Sequence, residues 1–162
     1  MLSSACISHR SQTELIAAWI GTIYFVWMVT WPALRLRCLV LAMIGYKNVS
    51  LVDSNGKKIN FVKFVSKKLD IKTKIFLSRI EKLNNEKFDF LTSRALANLN
   101  KLFTYSHKFT SNETVLIFLK GKTVKNEIKE AKNIWNFQSE IYPSYSDERG
   151  SVLVIKKLKF KI

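Results

Sequence analysis

The chain has 162 residues, of which 48% are apolar, so it can bury the core of one ordinary domain. Its 27 lysines and arginines outnumber 12 acidic residues, and the formal charge of +15 indicates a polyanionic partner, either nucleic acid or an anionic membrane surface. The alternative is a lysine-rich proteome, in which lysines only solvate helix faces. Two cysteines, Cys6 and Cys38, are too few for a disulfide framework and lack the spacing of a metal site, so a reducing compartment is expected.

The amino-terminal part, residues 1–38, is hydrophobic and differs from the rest. The run from Leu15 to Leu34 contains no charged residue and has about the length of a helix that spans a bilayer, so it is a candidate membrane span. Arg35 and Arg37 follow it, and the positive-inside rule would leave the remainder in the cytoplasm. No clear signal-peptide cleavage site ends the run. A membrane-anchored basic protein is therefore one hypothesis.

From residue 39 onward, strand-like and helix-like segments alternate. The stretch Leu39–Ile44 fits either type. The pattern predicts strands over Asn48–Asp53, Lys74–Leu77, Lys87–Ser93 and Glu113–Lys120, helices over Gly56–Leu69, Asn98–Phe109 and Val124–Trp135, and one helical turn over Arg79–Leu83. His107 is expected on the inward face of its helix. The last two strands, Phe137–Tyr142 and Ser151–Leu158, are joined without a helix and should be antiparallel neighbours.

Alternating strands and helices predict an α/β fold with a parallel sheet covered on both faces. An antiparallel hairpin added to the end of such a sheet is typical of the Rossmann-like class I methyltransferases. Topology alone would be weak evidence of function. The segment before Val49 contains only two glycines, Gly21 and Gly45, so the glycine-rich turn of a nucleotide-binding sheet is not found there.

Two carboxylates follow predicted strands. Asp53 ends a buried strand, where a carboxylate in a dinucleotide-like fold accepts hydrogen bonds from ribose hydroxyls. It could equally cap the helix that starts near Gly56. Glu81 follows the next strand, where it could meet the adenine or ribose of a nucleoside, or pair with Lys82 or Lys87 in solvent.

Cations follow the next two strands. Arg94 offers a fork of donors that suits a phosphate or a carboxylate, and its alternative role is a buried structural ion pair. Lys120 and Lys122 flank a glycine and could contact RNA phosphates, or form no more than a basic turn. His9 and His107 share no spacing with a nucleophile or a carboxylate, so hydrolytic triads and metal sites have no support.

Five stretches together resemble the RsmG (GidB) family, the bacterial enzymes that methylate guanine N7 in small-subunit ribosomal RNA. They are LVDSNGKKINFVKFV, SRIEKL, FDFLTSRALANLNKL, LIFLKGK and SDERGSVLVIKKL. The resemblance runs from about Leu39 to the carboxyl terminus. It implies that residues 39–162 form a partial domain with the class I methyltransferase fold, and that S-adenosylmethionine is the cofactor. It also implies a cytoplasmic monomer whose partner is the 16S RNA of the small ribosomal subunit.

The resemblance also implies roles for individual residues. By matching motif positions, Asp53 would face the cofactor ribose, and Ile80 and Glu81 would frame the adenosine. Arg94 would belong to the cofactor or catalytic pocket, and Lys120, with Lys122 beside it, would lie at the RNA-facing edge. No residue is assigned as a catalytic base, and no metal is implied.

The resemblance does not extend to residues 1–38. Before the helix that LVLAMIGY resembles, the family has a strand and a loop of the form GxGxGFPG, where this chain has WPALRLRC. The sheet is therefore expected to lack its first strand, which would leave the neighbouring strands unpaired and the methionine end of the cofactor without N–H donors. One hypothesis is a frameshift or a misassigned start, with the loop encoded upstream. Three functions remain: guanine-N7 methylation, impaired or lost; a membrane-anchored basic protein; and a non-catalytic RNA-binding remnant.

Overall fold

The computed structural model describes residues 5–8, 37–46, 48–84, 86–94, 97–145 and 148–161, with the main chain alone for 5–8, 37 and 94. The strands are β1 (Ala5–Ser8), β2 (Ser50–Asp53), β3 (Lys74–Leu77), β4 (Phe90–Arg94), β5 (Val115–Lys120), β6 (Trp135–Pro143) and β7 (Ser151–Phe160). The helices are α1 (Arg37–Met43), α2 (Gly56–Lys68), α3 (Leu99–Ser106) and α4 (Val124–Ala131), with 3-10 turns at Ile80–Lys82 and His107–Phe109.

The strands form one seven-stranded sheet in the order β3-β2-β1-β4-β5-β7-β6. Strands β2 and β3 pair in parallel, as do β4 and β5. Strand β7 is antiparallel to both β5 and β6. The predicted α/β fold with a carboxyl-terminal antiparallel hairpin is therefore confirmed.

An inverted strand fills the centre of the sheet. Strand β1 lies between β2 and β4 and is antiparallel to both, with Cys6 opposite Leu51 on one side and Thr92 on the other. The expectation that the neighbours of the first strand would be unpaired is therefore wrong, because a strand from the segment outside the resemblance pairs with both of them. Since β1 runs in the opposite direction, its amino end lies where β2 and β4 end.

Two apolar clusters hold the sheet, one on each face. Side chains of α3 and α4 cover one face, and those of α1 and α2 cover the other. Strand β5 contributes to both clusters because its side chains alternate: Leu116 and Phe118 join the first, and Val115 and Ile117 join the second. Burial on both faces fixes the strands of the central sheet and hence the row of residues at their carboxyl ends.

Two expectations near α4 are corrected. Helix α4 ends at Ala131, and Trp135 opens β6 instead of closing the helix. Trp135 is nevertheless buried in the same cluster as Val124 and Ile128, so burial did not distinguish a helix from a strand at this position. His107, expected inward, is exposed in the turn after α3, and its ring centroid lies 5.6 Å from that of Trp135.

The candidate membrane span from Leu15 to Leu34 lies outside the described residues. Among the helices that are described, none has both the length and the apolar character needed to cross a bilayer. The membrane anchor therefore stays a prediction.

Candidate functional site

The carboxyl ends of β2, β3, β4 and β5 form one side of the sheet, here called the ligand edge. Asp53 pairs with Leu77 in the β2–β3 ladder, and Arg94 pairs with Leu119 in the β4–β5 ladder, one residue before Lys120. Strand β1 separates β2 from β4, so two interstrand spacings place Asp53 and Arg94 about 10 Å apart along the edge. In open α/β sheets ligands bind outside this edge. The structure thus brings these predicted site residues to one side of the molecule.

Asp53 is buried, with 4% of its surface exposed, and shapes the turn between β2 and α2. Its Oδ1 accepts a hydrogen bond from the Asn55 N–H at 2.8 Å, and its Oδ2 lies 3.7 Å from the Lys58 Nζ. The helix cap is Asn55, whose side chain accepts from the Lys58 N–H at 3.2 Å. A carboxylate has acceptor positions left after these contacts, as ribose hydroxyls would require, and contact between Asp53 and a ribose stays a prediction.

The segment after β3 has a fixed main chain and an exposed carboxylate. The Lys108 Nζ donates to the carbonyl oxygens of Glu81 at 2.8 Å and Leu83 at 3.0 Å. Ile80 is half-buried and packs against the cluster of α3 and α4. The Glu81 side chain is exposed, and within the described residues it forms no ion pair with Lys82 or Lys87. Its contact with a nucleoside stays a prediction.

Lys120 is half-buried at the end of β5, and its side chain is turned away from solvent. Its side chain is 7% exposed, and its Nζ donates to the Glu127 Oε2 at 2.6 Å and to the Ala97 carbonyl at 2.7 Å. This geometry favours a structural role, and contact between Lys120 and RNA stays a prediction. Lys122 is exposed and pairs with no carboxylate in the described parts of the chain, so its ammonium is the more accessible to a phosphate.

Glu127 was not predicted as a site residue. Its Oε2 accepts from Lys120 and from the Leu99 N–H at 2.9 Å, while its Oε1 accepts from the Thr123 hydroxyl at 3.0 Å. Burial alone would raise the pKa of this carboxyl, but the hydrogen bond and charge of Lys120, with the other two donors, hold the pKa below its usual value. The sequence contained one signal for this ion pair: Glu127 is an acidic residue in the first turn of α4, the helix that follows Lys120.

The turn between β6 and β7 also lies at the ligand edge. Ser151, the first residue of β7, pairs with Lys120 on one side and Pro143 on the other. The turn carries Glu148 and Arg149, both exposed. No role was predicted for this turn, although the SDERG sequence forms part of the resemblance.

The ligand edge fits the two ends of S-adenosylmethionine unequally. Asp53 and the segment after β3 offer acceptors for the adenosine end. The chain has five glycines, at positions 21, 45, 56, 121 and 150, and none forms a Gly-x-Gly sequence. The inverted β1 brings its amino end to the edge, where a parallel strand would supply a strand-to-helix turn with N–H donors. Among the described residues of the edge, the acceptors therefore suit adenosine, whereas the inverted β1 offers no strand-to-helix turn with N–H donors for the methionine end.

The strand order, the two parallel strand pairs and the terminal hairpin together define the Rossmann-like fold of the class I methyltransferases. Two similar solved structures are protein PH0226 from Pyrococcus horikoshii, with TM-score 0.62, 13% identity and 93% of both chains covered, and the ribosomal protein L11 methylase from Lactobacillus delbrueckii subsp. bulgaricus. For the latter the TM-score is 0.60 and the identity 17%, over 74% of this chain and 65% of that one. At these identities the likeness shows the fold alone.

The GidB family, described as rRNA small subunit methyltransferase G, matches residues 32–151, and the chain belongs to this family. Two relatives named ribosomal RNA small subunit methyltransferase G come from Caulobacter vibrioides, 38% identical over 127 residues, and Orientia tsutsugamushi, 37% identical over 118 residues. The first alignment covers 78% of this chain and 58% of the relative, and the second 73% and 59%. The chain thus spans little more than half the length of these relatives.

Proposed function

We propose that the chain acts in S-adenosylmethionine-dependent methylation of guanine N7 in small-subunit ribosomal RNA, with a weakened hold on the cofactor. One observation carries the proposal: the ligand edge presents Asp53 and Arg94 at the ends of β2 and β4, inside the region that matches the family. Residues 39–162 form the methyltransferase domain in this proposal, and residues 1–38 are an addition that contributes β1.

The proposed reaction requires little acid–base chemistry from the chain. Guanine N7 has an exposed lone pair, so no group has to remove a proton before the nitrogen is methylated. The bound cofactor would supply a methyl group on a positively charged sulfur. Asp53 would hold the ribose, Ile80 and Glu81 would border the adenosine, and Arg94 would orient bound ligands at the edge. Catalysis then rests on positioning and on fixed charges.

The proposed partner is the 16S RNA of the small ribosomal subunit, bound by a cytoplasmic monomer. A formal charge of +15 favours association with a polyanion, and Lys122 presents an exposed ammonium at the ligand edge. Lys120 would contact RNA only if binding displaced its ammonium from Glu127. Binding of this kind weakens steeply with salt.

A second candidate function is a non-catalytic RNA-binding remnant. The inverted β1 and the lack of any Gly-x-Gly sequence favour it, because both remove main-chain donors from the methionine end of the cofactor. Such a protein would retain the basic surface and bind RNA without transferring a methyl group.

Methyl transfer from tritiated S-adenosylmethionine to unmodified small subunits distinguishes the two functions. Under the proposal the chain labels guanine N7, and Arg94→Gln lowers the rate by about a hundredfold, the usual loss when a group that stabilises charge is removed. Lys159→Gln is the matched control, because Lys159 is an exposed cation near the opposite end of β7. Salt-dependent RNA binding without label would support the remnant and overturn the proposal.

A further inference from the structure

Four groups join the end of β5 to the segment between β4 and α3. The Lys120 Nζ donates to the Ala97 carbonyl at 2.7 Å and to the Glu127 Oε2 at 2.6 Å. The same Oε2 accepts from the Leu99 N–H at 2.9 Å. We call this set of contacts the Lys120–Glu127 clamp. The clamp joins residues that follow β4 to residues at and after the end of β5. These two strands are neighbours in the sheet, but the joined residues are more than 20 positions apart in the sequence.

The clamp surrounds Asn98, the N-cap residue of α3. Ala97 and Leu99 flank Asn98, which caps α3 by accepting a hydrogen bond from the Lys101 N–H at 3.0 Å. The clamp therefore fixes both peptide groups around the cap. Arg94, the last residue of β4, lies three residues before Ala97 in the sequence.

The clamp is partly shielded from solvent, more at Lys120 than at Glu127. The Lys120 side chain is 7% exposed and that of Glu127 is 18% exposed. Hydrogen bonds between charged groups are short and strong, and removal of one member leaves the other charge buried without its partner. An exposed surface pair would not have this effect, because water replaces the lost partner.

We propose that Lys120 and Glu127 are positioning residues that hold the main chain from Ala97 to Leu99 at the ligand edge, close in sequence to Arg94. Neither residue has to touch cofactor or RNA for this role. The consequence for catalysis rests on the proposed methyltransferase function, whereas the consequence for the segment does not. Lys120 thus acts in the site through the main chain of Ala97.

Hydrogen exchange of single amides, measured by NMR without cofactor or RNA, tests the clamp directly. Lys120→Met is expected to speed exchange at Leu99, whose N–H donates to the Glu127 Oε2, and at Lys101 by about tenfold to a hundredfold, the range given by loss of one charge-assisted hydrogen bond. Lys120→Arg should largely restore protection. Glu140→Gln is the matched control, because it removes an exposed pair with Lys156 at 3.1 Å on the β6–β7 hairpin.

In the methyl-transfer assay, Lys120→Met should lower kcat while KM for the ribosomal subunit stays unchanged, because the clamp lies below the surface. A larger KM with unchanged kcat and normal exchange would instead place Lys120 on the RNA and overturn the proposal. Should Lys120→Met not fold, Thr123→Ala removes only the hydroxyl bond to Glu127 and should speed exchange by roughly threefold. Exchange equal to that of Glu140→Gln in the folded variants overturns the clamp, whether or not the wild type transfers methyl groups.

Discussion

Proline in place of Cys6 is expected to destabilise the entire sheet, because β1 occupies its centre. Cys6 lies opposite Leu51 of β2 and Thr92 of β4, so its N–H belongs to one of the two ladders. Proline has no N–H and is tolerated in sheets only at edges, strand starts and bulges. A substitution that acts on the main chain therefore reports on the pairing of this strand.

The size of the effect follows from the lost hydrogen bond. The bond itself contributes about 0.5–1.5 kcal/mol, and the buried carbonyl that loses its donor adds a penalty of about 1–3 kcal/mol. A total of about 2–4 kcal/mol is a large fraction of the roughly 5–15 kcal/mol that stabilises a domain. With an m-value of about 2 kcal/mol/M, the urea midpoint should fall by about 1–2 M.

Urea unfolding followed by circular dichroism measures this shift. Gly56→Pro is the control, because Gly56 is the first residue of α2, where proline has a suitable φ and the N–H needs no helical partner. The control should change the free energy of unfolding by less than about 1 kcal/mol. Equal midpoints for Cys6→Pro, Gly56→Pro and the wild type would refute the placement of β1 in the sheet.

Three further substitutions test the core, the clamp and the basic surface. Phe103→Ala should cost about 3–5 kcal/mol in urea unfolding, because the Phe103 side chain is fully buried and its ring centroid lies 4.9 Å from that of Phe137; a loss below about 1 kcal/mol would contradict this packing. Because the pKa of Glu127 is lowered in the folded state, its carboxylate stabilises the fold at pH values above its usual pKa of 4.5, and this stabilisation is lost as the pH falls through the folded-state pKa. Glu127→Gln should therefore flatten that part of the profile of urea midpoint against pH. An unchanged profile would contradict this role of Glu127. Lys122→Ala should weaken RNA binding and reduce the slope of log affinity against log salt by about one, as measured by filter binding, and an unchanged slope would remove Lys122 from the interface.

Most of the sheet could be predicted because its strands follow local patterns. Strand β5 is a continuous apolar run, as expected for a strand covered on both faces, and α2 shows the spacing of one buried helical face. Strand β1 could not be predicted in the same way. Its four residues carry little local signal, and their place depends on the gap between β2 and β4, which only the folded sheet reveals.

The site could be predicted in position more than in contacts. Strand ends placed Asp53, Arg94 and Lys120 at one edge, because parallel strands end on the same side. The environment of Lys120 depends on Glu127, which the following helix brings back to the strand end. The cap of α2 is likewise Asn55 and not Asp53. Asp53 is buried by tertiary packing, which the local sequence does not show.

Calorimetry with S-adenosylmethionine and with adenosine measures the two ends of the cofactor site separately. Compared with a micromolar site, loss of about three main-chain hydrogen bonds at about 1 kcal/mol each weakens binding by roughly a hundredfold, to a dissociation constant near 100 μM. Adenosine should bind within about threefold of S-adenosylmethionine, and Asp53→Asn should weaken both. Low-micromolar binding of S-adenosylmethionine with much weaker binding of adenosine would contradict the loss of the methionine end, and absence of binding at millimolar concentration would contradict the retained adenosine end.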